Sequence, residues 1–144
     1  MKIREAVTDD ICELVQLEKK CFPVNLQLTY HSFYQTINLT THLLLVLEDK
    51  KQIISYIKVV PRKTIFRIES VATKKEFQKQ GYSKKLIKYV LKNYGDNATH
   101  RLCVNCKQKH VILLYEKLGF KIKGKKLDYY SKDVHAYLME RTSN

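Results

Sequence analysis

One strand, one loop and one glutamate hold the residue types in this chain that point most directly to chemistry. Ile68-Glu69-Ser70-Val71-Ala72-Thr73 reads as an extended segment. It leads through a short basic loop, closing as Gln78-Lys79-Gln80-Gly81-Tyr82-Ser83, directly into a helix. A strand that feeds a helix through a glycine turn is a place to hold phosphate. The glycine allows close backbone approach, and the first helical N–H groups have no partners within the helix. The helix dipole adds roughly half a positive charge at the same point. Lys74, Lys75, Lys79, Lys84 and Lys85 surround the loop. Glu69 stands a few residues upstream, and a carboxylate on an interior strand is uncommon unless it is used.

The elements that must position these groups follow from periodicity. Residues 1–6 read as a first strand, and Thr8 or Asp9 caps a helix with Ile11, Leu14, Val15 and Leu17 on one stripe, ending before Pro23. A short helix starts near Thr29. His42 to Leu47 is a buried strand, joined by a turn to a second one over 52–60 that Pro61 ends, and 65–73 makes the third. The helix after Gly81 turns Leu86, Ile87, Val90 and Leu91 inward and its lysines outward. A strand over 101–105 precedes a helix with the stripe Val111, Leu114, Tyr115 and Leu118, which Gly119 terminates. Residues 121–130 and 134–140 form a closing hairpin. This order gives an α/β fold with a mixed sheet, not a doubly wound Rossmann fold.

At 144 residues the chain is expected to be a single domain over 1–144, with no linker, repeat or low-complexity segment. Its longest aliphatic run, Leu43 to Leu47, is far too short to span a membrane. The opening Met1-Lys2-Ile3-Arg4-Glu5 lacks the apolar core of a signal peptide, so a cytoplasmic location is expected. Cys12, Cys21, Cys103 and Cys106 include only one C-x-x-C pair, whose members on a strand would face opposite sides. They read as ordinary reduced thiols. The five histidines show no paired ligand spacing, so no metal is expected. Four glycines in the whole chain cannot build a G-x-G-x-x-G fingerprint or a Walker A loop. The net charge of +13 is concentrated: residues 74–88 hold six lysines against Glu76, and residues 117–126 hold five with no acid. Residues 5–18 hold five acids and no base, an acidic patch in an otherwise basic chain.

Two motifs at a characteristic separation make the chain resemble the GNAT superfamily of acetyl-CoA-dependent N-acetyltransferases. The family's phosphate loop, Gln/Arg-x-x-Gly-x-Gly/Ala, stands here as Gln78-x-x-Gly81-x-Ser83, and its Tyr-x-x-x-Gly-Phe helix end as Tyr115 to Phe120. Ser83 departs from the usual glycine or alanine, and Gln108 replaces the asparagine usual seven residues before the tyrosine. The resemblance implies the GNAT fold, a mostly antiparallel mixed sheet of about seven strands with four helices. It implies acetyl-CoA as co-substrate, a monomer or homodimer, and direct attack by an amine in a ternary complex. The pyrophosphate is assigned to Gln78, Lys79, Gln80, Gly81, Tyr82, Ser83 and Lys84. The pantetheine arm falls to Val71, Ala72 and Thr73 in the manner of an added strand, with Gln108 alongside. Lys79, Lys84 and Lys117 are candidates for the 3′-phosphate. Tyr115 matches the family's general acid.

Glu69 stands where several such enzymes place a carboxylate that acts directly or through water, and a backbone N–H near Val71 suits an oxyanion hole. Pairing of Glu69 with Arg67 or Arg101 across the sheet is the purely structural alternative. The acceptor is a small-molecule amine or a protein N-terminus. Cys21-Phe22-Pro23, Tyr129-Tyr130, Ala136 and Met139 are similar to enzymes that acetylate ribosomal proteins. The competing class is a binding module whose basic surface docks on RNA or the ribosome, although no RNP-like aromatic pattern is present.

Overall fold

Uninterrupted apolar runs in the middle of the chain demand cover on both faces of a sheet, and helices supply it. The computed structural model describes residues 1–95 and 97–142. In chain order these form β1 (Lys2–Glu5), α1 (Ile11–Cys21), α2 (Tyr30–Asn38), β2 (Leu43–Asp49), β3 (Gln52–Arg62) and β4 (Ile65–Thr73). Then come α3 (Tyr82–Asn93), β5 (Thr99–Asn105), α4 (Lys109–Lys117), β6 (Lys121–Ser131) and β7 (Val134–Thr142). The seven strands make one sheet in the order β1-β2-β3-β4-β5-β7-β6. Every neighbouring pair is antiparallel except β4–β5. This is the α/β architecture expected from the sequence.

β3 is buried over Ile53 to Val60, and its side chains divide between two cores. On one face Ile53 and Tyr56 join Ile11, Leu14 and Leu17 of α1 and Phe33 of α2. On the other face Ile54 and Ile57 join Leu86, Ile87 and Val90 of α3 and Ile112 and Tyr115 of α4. Each fully buried Leu, Ile or Val side chain contributes about 1.5–3 kcal/mol of transfer free energy. Burial is therefore what holds α3, with four lysines on its outer side, against the sheet.

Pro61 does not end its strand: β3 continues to Arg62, with Pro61 opposite Phe66. Arg62↔Ile65 closes a two-residue turn, so the next pair inward is of the open kind and β4 needs no N–H from proline. On the other side β2 makes its last pair at Leu43↔Val59 and does not reach Pro61.

Two irregularities shape the centre of the sheet. The β3–β4 register passes from Lys58↔Ser70 to Val59↔Ile68, which leaves Glu69 as the extra residue of a β-bulge. The parallel β4–β5 ladder runs only from Ile65↔Thr99 to Arg67↔Arg101. Beyond that point β4 and β5 are unpaired and line opposite sides of a cleft.

Candidate active site

The cleft consists of two cavities that meet at one wall. The first, about 430 Å³, is bounded by Arg67 to Val71 of β4, Leu102 to Asn105 of β5, Phe22 and Leu26 after α1, and Tyr129 and Tyr130 of β6. The second, about 620 Å³, is bounded by Val71 to Thr73, the loop Phe77 to Lys84, and α4. Phe22, Val71, Gln108, Val111 and Tyr115 line both. Any group passing between the cavities passes these side chains.

The second cavity borders the start of α3 and the last residues of β4. Gly81 precedes α3 with φ of 86°, and a Cβ there would meet nothing within 4 Å. Its requirement for glycine is thus conformational, and the space beside it is open. Lys79, a non-glycine residue, also has a positive φ of 62°. The first helical bond runs from Lys85 N to Gly81 O at 3.0 Å, so the N–H groups of Tyr82, Ser83 and Lys84 have no acceptor within the helix. Lys79 and Lys84 add their charges to this wall. Lys74 turns elsewhere, donating to Gln52 Oε1 at 3.2 Å, and Gln80 and Lys117 line neither cavity.

Gln78 is engaged with the strand. Its Nε2 donates to Thr73 O at 2.9 Å, and Cys21 Sγ donates to the same carbonyl at 3.3 Å. Burial pushes the Cys21 thiol up, which suits it to remain a donor. On the β3 side, Lys74 N donates to Ile54 O at 2.9 Å. By the alternation of an antiparallel ladder, Val71 and Thr73 then direct their N–H and C=O groups toward the cleft. With Thr73 O occupied, the cleft edge offers both polar groups of Val71 and the N–H of Thr73.

A hydroxyl chain explains why serine replaces a smaller residue at position 83. Ser55 Oγ donates to Ala72 O at 2.8 Å, which spends its one proton. Thr73 Oγ1 must then donate to Ser55 Oγ at 2.9 Å, and Ser83 Oγ to Thr73 Oγ1 at 2.6 Å. Ser83 therefore ties the start of α3 to the end of β4 and can only accept from anything in the cavity.

The first cavity is built from side chains. Glu69 Oε1 meets Lys58 Nζ at 2.9 Å, and its Oε2 has no partner among the described residues. Neither sequence-expected partner takes it: Arg67 Nη2 donates to the Tyr129 hydroxyl at 2.8 Å, and Arg101 pairs with Glu140 at 2.8 Å. The missed partner, Lys58, is only 7% exposed. Its signal was present, since a lysine inside the run Ile53 to Val60 needs a counter-charge. Beneath the cavity, Tyr56 OH donates to Glu18 and so accepts from Ser70 Oγ at 2.7 Å. Glu18 also accepts from Leu28 N at 2.9 Å, tying the segment after α1 to the sheet. Burial pushes the Glu18 carboxyl up and the Tyr56 phenol well up.

Tyr115 joins the two cavities. It is 7% exposed, packs its ring 5.9 Å from that of Phe120, and has no hydrogen-bond partner for its hydroxyl among the described residues. Burial pushes its phenol up to about 12. The acids of residues 5–18 do not line the first cavity: Asp10 pairs with Arg4 at 2.8 Å, Glu13 accepts from Ile53 N at 2.6 Å, and Glu18 is internal. Ala136 and Met139 are core residues, fully buried, while Phe22, Tyr129 and Tyr130 do reach the cavity. Asp128, Asp133 and His135 cluster at the β6–β7 turn, where Asp128 N donates to His135 and Asp133 N to Asp128. These bonds close the turn.

The sheet is splayed between β4 and β5, with a phosphate-type loop on one side of the cleft and a carboxylate on the other. Residues 8–142 match the family model for the acetyltransferase (GNAT) domain, and the chain belongs to the GNAT acetyltransferase family. Solved structures agree in fold. The ribosomal-protein-S18-alanine N-acetyltransferase from Escherichia coli is 20% identical, with a TM-score of 0.86 over 99% of this chain and 94% of that one. An aminoglycoside 6′-N-acetyltransferase complexed with coenzyme A is 17% identical, at 0.83 over 99% and 97%. NAA60 of Arabidopsis thaliana, in complex with a bisubstrate analogue, is 17% identical, at 0.84 over 99% and 99%. No curated protein sequence matches the chain. Among the described residues no helix is long and apolar enough to cross a membrane.

Proposed function

We propose that the protein is an N-acetyltransferase that moves the acetyl group of acetyl-CoA to a primary amine by direct attack in a ternary complex. The observation that carries this reading is the pair of cavities meeting at Val71 and Tyr115, with unpaired helix amides in one and a carboxylate in the other. In this reading the larger cavity takes the cofactor. The amides of Tyr82, Ser83 and Lys84 with Lys79 hold the pyrophosphate, and the free edge of Val71 and Thr73 pairs with the pantetheine amides.

The acceptor enters the smaller cavity as an ammonium. An alkyl ammonium has a pKa near 10.4 and a terminal α-amine near 8, so a base raises the reactive fraction. Glu69 Oε2 takes that proton, directly or through one water. Ser70, whose own proton is spent on Tyr56, accepts an N–H of the amine and orients its lone pair. The amine nitrogen then bonds to the acetyl carbonyl carbon, with the Val71 N–H donating to the developing oxyanion. As the carbon–sulfur bond breaks, the attacking nitrogen releases its second proton to water, and Tyr115 donates a hydrogen bond to the departing thiolate, which takes its proton from solvent. Burial pushes this phenol up, which keeps it in the donor form at neutral pH.

The competing reading is a catalytically silent module that holds RNA. The exposed lysines 121, 123, 125 and 126 on edge strand β6 favour it. A panel of amines and short peptides assayed for CoA release, with the melting temperature read against acetyl-CoA, separates the two. Stabilisation and amine-dependent CoA release are expected; salt-dependent RNA binding with neither effect would replace the enzyme reading.

A further inference from the structure

We propose that Arg67 makes this site selective for acceptors that carry a carboxylate close to the amine they present. This inference rests on the acetyl-transfer reading above. Arg67 and Glu69 are the only formally charged side chains among the described residues lining the acceptor cavity. They stand two residues apart on β4, a separation of roughly 6–7 Å along an extended strand. Their situations differ. Glu69 already meets the ammonium of Lys58 at 2.9 Å, whereas Arg67 meets only a neutral hydroxyl, that of Tyr129, at 2.8 Å. Arg101, its register partner on β5, has a carboxylate in Glu140. Arg67 is thus a half-buried cation without a counter-ion among the described residues, where most of its five N–H donors are unused.

Lys58 is answered by Glu69 and, behind the cavity wall, by Glu18, so the excess positive charge facing the cavity is local to Arg67, which meets no carboxylate among the described residues. An acceptor arriving as a bare ammonium meets that excess, and one with several ammonium groups meets it repeatedly. None of the acids in residues 5–18 lines the cavity to offset it. An acceptor bearing both an amine and a carboxylate balances the site, with the amine toward Glu69 and the carboxylate toward Arg67. Guanidinium pairs with carboxylate through two parallel N–H donors, which also fixes orientation. The carboxylate has two possible sources: an acidic side chain at the start of a peptide, or the free carboxyl of a small amino acid or dipeptide.

The test uses C-terminally amidated peptides that differ only at the second residue (Ala-Asp, Ala-Ser or Ala-Lys), together with Ala-Ala as free acid and as amide. CoA release is measured at saturating acetyl-CoA. The KM for Ala-Asp peptides is expected to lie about tenfold below that for Ala-Lys peptides. If the small-molecule source applies, the difference appears between Ala-Ala and its amide instead. Arg67→Gln should bring the KM ratio toward one and Arg67→Glu should reverse it. Arg67→Lys, which keeps the charge, retains its direction. Stabilisation of each variant by acetyl-CoA shows that it has folded. Equal KM values across the panel, or an unchanged ratio in folded Arg67→Gln, overturn the inference while leaving acetyl transfer standing. No CoA release with any acceptor overturns both.

Discussion

The two cavities rest on hydroxyl chains of the same design that end on different groups. Beside the larger cavity Ser83 donates to Thr73, Thr73 to Ser55, and Ser55 to the Ala72 carbonyl. Beside the smaller one Ser70 donates to Tyr56, and Tyr56 to the buried carboxylate of Glu18. A chain that ends on a peptide carbonyl is indifferent to pH. One that ends on a carboxylate is coupled to its ionisation. The polar groups of the larger cavity are therefore set mainly by pH-indifferent bonds, while those of the smaller one, which in the proposed function takes the acceptor, include charges that must balance.

Substitutions can break this contrast. The largest effect is expected for Glu69→Gln, which should lower turnover by about 10²–10⁴-fold, the usual contribution of a positioned base. A calorimetric titration should show acetyl-CoA binding retained; equal loss of both would make Glu69 part of the cofactor site. Tyr115→Phe removes one donor to the departing sulfur and should cost about ten- to a hundredfold in turnover. With the phenol near 12, the wild-type rate should show no bend from Tyr115 below about pH 11.

Gly81→Ala tests the other cavity. At φ of 86° an added Cβ is strained by about 1–2 kcal/mol, although the space around it is open. The KM for acetyl-CoA should rise by several-fold, and the KM for the amine should hardly move. Ser83→Ala removes one buried hydrogen bond, worth about 0.5–1.5 kcal/mol, and should lower the melting temperature by about 2–4 °C at every pH between 5 and 8.

The smallest effect sharpens the comparison. Burial raises the Glu18 pKa, so the folded state keeps this proton to higher pH than the unfolded chain. Stability from this group is present at low pH and is lost as pH rises above the ordinary 4.5 through the folded value. Glu18→Gln keeps a bond to Leu28 N and should flatten that part of the melting-temperature profile. A parallel downward slope in the variant would assign it to another group.

Much of this molecule could be read from local pattern. Gln78 and Gly81 marked the anion loop, and Tyr115 with Gly119 and Phe120 marked the second motif, because each group is defined within one turn of chain. Pro61 misled because a proline's effect depends on which neighbouring strand needs its N–H, and that is a matter of register. Glu69 was found, but the structural alternative considered only arginines on its own or the neighbouring strand, whereas it pairs with Lys58 of β3 on the other side. The acids of residues 5–18 looked like a surface patch. Ile53 N, Leu28 N and Arg4 draw three of them inward.

The sequence by itself determined the element order, the family and the phosphate-type loop, since hydrophobic period, glycine conformation and helix termini are local properties. Only the tertiary structure decided where β4 and β5 part, which hydroxyls spend their protons on each other, and that Glu69 meets an opposite charge while Arg67, among the described residues, meets only a neutral hydroxyl. Those facts depend on groups from distant parts of the chain meeting at hydrogen-bond distance. Local periodicity carries no information about that distance until packing sets it.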